Sequence, residues 1–143
     1  MGASISGYWP GITEDQRESM PGFWNDDRAF GNWMANRVEQ PEVLTAVTEL
    51  GCGAVLTFTT EGVPDTDVDW ATPEDLKAAA LKLRELVLGQ DTRTKAIVES
   101  YAQDANQIDP VHEELARDLA DVAQLAEFAA SQGVHTMTLE VNW

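Results

Sequence analysis

The carboxyl-terminal residues alternate: His135, Met137, Leu139, Val141 and Trp143 fall on one side, Thr136, Thr138, Glu140 and Asn142 on the other. That period of two predicts a strand with one buried face and His135 opening it on the apolar side. Upstream, Leu115, Leu119, Val122, Leu125, Ala126 and Ala129 recur at helical spacing between Asp109-Pro110 and Gly133, predicting a long amphipathic helix. A second helix is expected over 73–88. Thr72 stands as its N-cap, Pro73 takes the first helical position, and Glu74 and Asp75 occupy the positive end of the helix dipole. Its stripe is Leu76, Ala79, Ala80, Leu83, Leu86 and Val87, and Gly89 ends it. Asp91 caps a shorter helix through Tyr101, and Pro41-Glu42 opens another that stops at Gly51. From Asn25 or Asp26 the spacing of Phe30, Trp33, Met34, Arg37 and Val38 is again helical. Residues 2–8, ended by Trp9-Pro10-Gly11, and residues 54–60 read as strands. Residues 12–22 are polar and close on the break Met20-Pro21-Gly22, with no regular element assigned to them. The sum is an α+β chain: a helix-rich, compact single domain over 1–143, with about three to four strands including both terminal ones.

Composition changes this picture mainly through charge. The 143 residues carry 25 Asp and Glu against 9 Lys and Arg, a formal net charge of −16. The first half (1–71) holds 12 acids and 3 bases and the second (72–143) holds 13 acids and 6 bases, so the acidity is no detachable tail. With 43% hydrophobic residues the chain is too apolar for a disordered acidic segment. Such a charge disfavours attraction to nucleic-acid phosphates or anionic lipid and favours a basic partner. One Cys makes no intramolecular disulfide. The opening MGASISGYWPG lacks the basic and apolar regions of a signal peptide, and no apolar run approaches membrane-spanning length. A cytoplasmic protein is expected.

Candidate chemistry is sparse. Asp65, Asp67 and Asp69 alternate as in the start of a calcium loop, where carboxylates converge on one hard cation. Trp70 and Leu76 then replace the Gly and the bidentate Glu that an EF-hand needs, leaving a weak divalent-metal candidate beside a solvated acidic loop. Cys52, between Gly51 and Gly53, reads as a small buried residue in a turn. With His112 and His135 it lacks the paired spacing of zinc sites. No nucleophile elbow or phosphate loop occurs, so no catalytic residue and no cofactor is assigned. Two features bear on binding. Tyr8, Trp9, Phe23 and Trp24 lie beside Pro-Gly breaks, where large rings are candidate interface anchors. Phe30 and Trp33 belong to a core stripe instead. Glu114, Asp118 and Asp121 share one face of the last helix opposite its leucines. That face reads as solvated, or as a docking surface for a basic partner.

Three segments resemble the YfbM-like bacterial proteins, a family of unknown function. They are Met1-Gly2-x-x-Ile5-x-Gly7-Tyr8 at the start, Trp70-Ala-Thr-Pro-Glu-Asp-Leu76, and the passage from Phe128-Ala-Ala into Gln132-Gly133-x-His135. The resemblance covers about half of the chain. It implies a compact α+β domain with both termini as strands, and brings no activity and no catalytic residues with it.

The function expected from these observations is that of a non-enzymatic bacterial binding protein. Its acidic surface would recognise a basic protein partner, in an inhibitory or toxin-neutralising role. The alternatives are a small carboxylate-based metal- or ligand-binding domain or enzyme around Asp65, Asp67 and Asp69, and an acidic mimic of nucleic acid. Direct nucleic-acid binding and membrane association are not expected.

Overall fold

The computed structural model describes residues 4–21, 30–36, 40–105 and 110–142. Three strands make one mixed sheet in the order β1-β3-β2. β1 (Ser4–Tyr8) and β3 (Thr138–Asn142) pair antiparallel, with Ile5 opposite Val141 and Gly7 opposite Leu139. β2 (Phe58–Thr60) runs parallel to β3 on its other side. Around the sheet lie α1 (Glu14–Ser19), α2 (Phe30–Asn36), α3 (Pro41–Glu49), α4 (Pro73–Leu88), α5 (Lys95–Ala105) and α6 (Val111–Ser131). The architecture is α+β and helix-rich, as the periodicities imply.

The central strand explains the terminal alternation. Met137, Leu139 and Val141 are fully buried, and Ile5 follows them on β1. Gly7 sits tightly there: a Cβ would stand 3.3 Å from the Met137 Cε and 3.4 Å from the Trp9 ring, so those side chains would have to give by a few tenths of an ångström. The alternation does not extend back to His135. Gly133 adopts φ +74, the Val134 amide bonds the Ala129 carbonyl, and this helix-ending turn leaves His135 exposed. Thr138 on the opposite face is buried as well, so the strand start is covered on both sides.

α4 and α6 make the most extensive contact in the fold. Leu76, Leu83 and Val87 of α4 meet a core that includes Leu115, Leu119, Val122, Leu125 and Ala129 of α6, all without exposed surface. The cap at Thr72 forms as the sequence implies, its hydroxyl accepting from the Asp75 amide at 3.0 Å. Phe30 and Trp33 of α2 are buried, with the Trp33 indole donating to the Ser100 hydroxyl and its ring edge-on to Tyr101. The expected cap at Asn25 or Asp26, and Arg37, Val38, Asp109 and Trp143, lie outside the described residues.

Two local readings change. Over 54–60 only Phe58–Thr60 is extended, because Gly53–Leu56 forms a single 3-10 turn that folds the buried Val55 inward. The β-branched and apolar residues there mark burial rather than extension. In the polar stretch 12–22, α1 forms through a reciprocal capping box: the Thr13 hydroxyl accepts from the Gln16 amide, and the Gln16 side chain accepts from the Thr13 amide.

Candidate functional site

The site begins with the connection from β2 to α4. Gly62 turns the chain at φ +89, and Asp65–Asp67 winds one 3-10 turn closed by the Asp67 amide on the Pro64 carbonyl. Val68 then enters the interior. Ala71 pairs with Met137 through two backbone hydrogen bonds, of 2.8 and 2.9 Å. The segment is therefore fixed at Val68, at Ala71 and at the Thr72 cap, while its acids face outward. Glu61, Asp65, Asp67, Asp69, Glu74 and Asp75 are all exposed. No Lys or Arg occurs from residue 38 to residue 76, and among the described residues none comes into ion-pair distance of these six carboxylates.

An aromatic pair borders this acidic segment. Half-buried Trp70 stacks on half-buried Tyr8 at the end of β1, with centroids 6.0 Å apart and planes at 29°. The Tyr8 hydroxyl donates to Asp65 Oδ1 at 2.8 Å, and that bond is the main reason its phenol is held above the usual tyrosine range. The Arg17 guanidinium of α1 lies over the Tyr8 ring, Cζ 5.6 Å from the centroid. Tyr8 and Asp65, assigned by sequence to separate binding and metal candidates, thus meet in one place. The sequence pattern alone does not mark Trp70 and Arg17 as site residues. The available signal for Trp70 was its position as a large ring inside an acidic stretch just before a helix cap.

Several other candidates fall elsewhere. Trp9 is a core residue at 4% exposure, packed near Phe128 with its indole donating to Gln16, so it presents no ring to a partner. Phe23 and Trp24 lie outside the described residues. Glu114, Asp118 and Asp121 form no solvated docking face: they are exposed by 7%, 2% and 8%. α6 is a central helix, covered by α4 on one face and by α5 on another, so its second stripe is interior despite being charged. There the Tyr101 hydroxyl donates a hydrogen bond to Asp118, and Arg117 approaches both Asp118 and Glu114, at 3.7 and 3.9 Å. Burial first, and then the Asp118 charge, push the Tyr101 phenol far above its ordinary value.

Asp65, Asp67 and Asp69 share the acidic segment but do not converge. Among the described residues no group of three or more His, Cys, Asp or Glu is arranged to hold a metal ion. Cys52 is buried without exposed surface, its thiol pushed up by desolvation against a smaller opposing effect of Lys82.

Concavities also lie among the described residues. One of about 490 Å³ runs along α3 between Glu42 and Glu49, with Arg93 on its wall. Two of about 390 and 310 Å³ flank the turn after α6, sharing Gly133, Val134 and His135. His135 lines the larger together with Trp9 and Gln16, and the smaller together with Glu74. No protein-family model, curated protein or solved structure matches the chain.

Proposed function

We propose that this chain is a non-enzymatic, cytoplasmic bacterial binding protein whose acidic surface docks a basic protein partner, with an inhibitory or neutralising effect on it. We also propose kinship with the YfbM-like proteins, which adds no activity to the reading. One observation carries it. Six exposed carboxylates between Glu61 and Asp75 have no basic partner among the described residues, and they border the Tyr8–Trp70 pair. Unneutralised like charges on a fixed segment repel one another, and a basic partner relieves that repulsion while being steered to the surface. The half-buried rings give such a partner an anchor that charge alone does not supply. Among the described residues the remaining exposed acids are spread over α1, α3, α4, α5 and α6, which gives the nucleic-acid-mimic reading less support.

The test compares the natural chain with a variant carrying Glu61→Gln, Asp67→Asn and Asp69→Asn, each immobilised and exposed to basic proteins at low and high salt. Retention that high salt releases, and that the variant loses, is the expected result. Retention indifferent to both salt and the three substitutions refutes the docking segment.

A further inference from the structure

Resting on that docking reading, we infer that the Tyr8 ring is a receptor for a guanidinium, so the partner presents arginine, and that Arg17 occupies this position until the partner displaces it.

The argument starts from where Arg17 lies. In a surface this acidic an exposed arginine is expected to settle against a carboxylate, and α1 itself carries Glu14, Asp15 and Glu18. Among the described residues Arg17 has no carboxylate within the 4.0 Å of an ion pair. It lies over an aromatic face instead. The ring it chose is polarised for the purpose: the Tyr8 hydroxyl donates a hydrogen bond to Asp65, and the negative carboxylate enriches the ring that receives the cation. A guanidinium is planar, weakly hydrated and stacks on such a face. An ammonium is compact and strongly hydrated, and loses more on leaving water.

Arg17 is also easily replaced. α1 has six residues and buries none of them, so moving the Arg17 side chain disturbs no packing. The helix keeps its place through the Thr13–Gln16 box and through Gln16, which also reaches Gln132. An incoming arginine that takes the ring frees Arg17 to solvent and brings the rest of its segment over Asp67, Asp69 and Glu74. Displacement of an internal cation by an external one sets a threshold: a lone arginine gains little, whereas a segment that also neutralises the acids gains the whole surface.

The test uses two fluorescent peptides of equal length and charge, one with arginine and one with lysine at the basic positions, titrated by anisotropy at low salt. The receivers are the natural chain, Arg17→Ala, the charge-matched control Lys95→Ala, and Arg17→Ala combined with Tyr8→Leu. Lys95 is exposed on α5 and pairs with Glu99. Arg17→Ala is expected to tighten the arginine peptide about two- to fivefold more than the lysine peptide, the range of an exposed cation–ring contact. Lys95→Ala should move both peptides equally. Adding Tyr8→Leu should erase the arginine preference, and Arg17→Ala with Tyr8→Phe, which keeps the ring, should retain most of it. Equal gains for the two peptides on Arg17→Ala, with salt-dependent binding intact, overturn the guanidinium receptor and leave the acidic docking surface standing. Failure of either peptide to bind any receiver overturns the docking reading, and this inference with it.

Discussion

Tyr101→Phe is the sharpest probe of the interior, because it removes one oxygen and leaves the ring. Tyr101 is fully buried and Asp118 is 2% exposed, so neither end of their hydrogen bond is replaced by water when the hydroxyl is lost. A hydrogen bond to a charged group contributes about 1.5–3 kcal/mol, and no cavity is added to that figure because Phe fills the same space. Arg117 Nε, 3.7 Å from the other Asp118 oxygen, remains to offset part of the carboxylate's burial. The variant is therefore expected to be about 1.5–3 kcal/mol less stable in denaturant unfolding near neutral pH. The pH dependence separates this from a packing defect. Burial and Asp118 raise the folded pKa of Tyr101 above the ordinary 10.0, so the stability it contributes is fully present below pH 10. As pH rises further the unfolded chain ionises this phenol while the folded chain does not, and the contribution declines by about 1.4 kcal/mol per pH unit. The natural chain should thus lose its advantage over Tyr101→Phe between about pH 10 and pH 12. Equal stability at neutral pH, or a difference that stays flat across that alkaline range, would refute the reasoning.

Three further outcomes follow from single contacts. Thr72→Ala deletes the hydroxyl that caps α4 and should cost about 1 kcal/mol in denaturant unfolding, whereas Thr72→Ser should restore most of it. The Cys52 thiol, buried and raised by desolvation, should react with an aromatic disulfide reagent only as fast as the protein unfolds, and reaction at the rate of a free thiol would contradict its placement. The Asp91 carboxyl is held down to about 2 by hydrogen bonds from the Arg93 side chain and backbone. Whatever it adds to stability is present above its ordinary 3.8 and disappears as pH falls through about 2. A carboxyl-carbon NMR titration should place its midpoint near that value and move it upward in Arg93→Ala, and a natural-chain midpoint at 3.8 would count against the pair.

Much of this fold is written locally. Thr72-Pro73-Glu74-Asp75 states its own helix start, and Met137, Leu139 and Val141 state a strand, because caps and alternation depend on near neighbours. α1 was legible too, through Thr13 and Gln16, but its lack of any apolar stripe hid it from a reading led by hydrophobic spacing. The exposure of His135 was not legible, since the turn at Gly133 shifts the start of the strand and breaks a pattern that looks continuous in one dimension. For the site, the separate ingredients Tyr8 and Asp65 were visible, and their union was not. They lie 57 residues apart and meet because β1 pairs with β3 and the segment before α4 is bridged at Ala71 to Met137, the residue that leads into β3.

The largest departure concerns the acids of α6, and it divides the chain's charge into two kinds. The three acids are read as opposite the leucines, but on a helical wheel of about 100° per residue Glu114, Asp118 and Asp121 lie beside that stripe, and their charge is ordinarily read as solvent exposure. The wheel does not say that a second helix covers that side. Leu125, at full burial, falls among the acids on the wheel, and with the neighbouring leucines it marks that side as interior. Carboxylates taken from water are held by partners such as Tyr101 and Arg117, and removing one member of a buried pair costs about 3–5 kcal/mol. Neutralising these three acids therefore changes folding, whereas neutralising Glu61, Asp67 and Asp69 changes only what the surface attracts. A substitution series across both groups should separate the two quantities: unfolding midpoints follow the α6 acids, and salt-dependent retention of basic proteins follows the segment before α4. Should the α6 substitutions weaken retention at unchanged stability, the assignment of the buried acids to the interior fails, and with it the placing of the docking surface on 61–75.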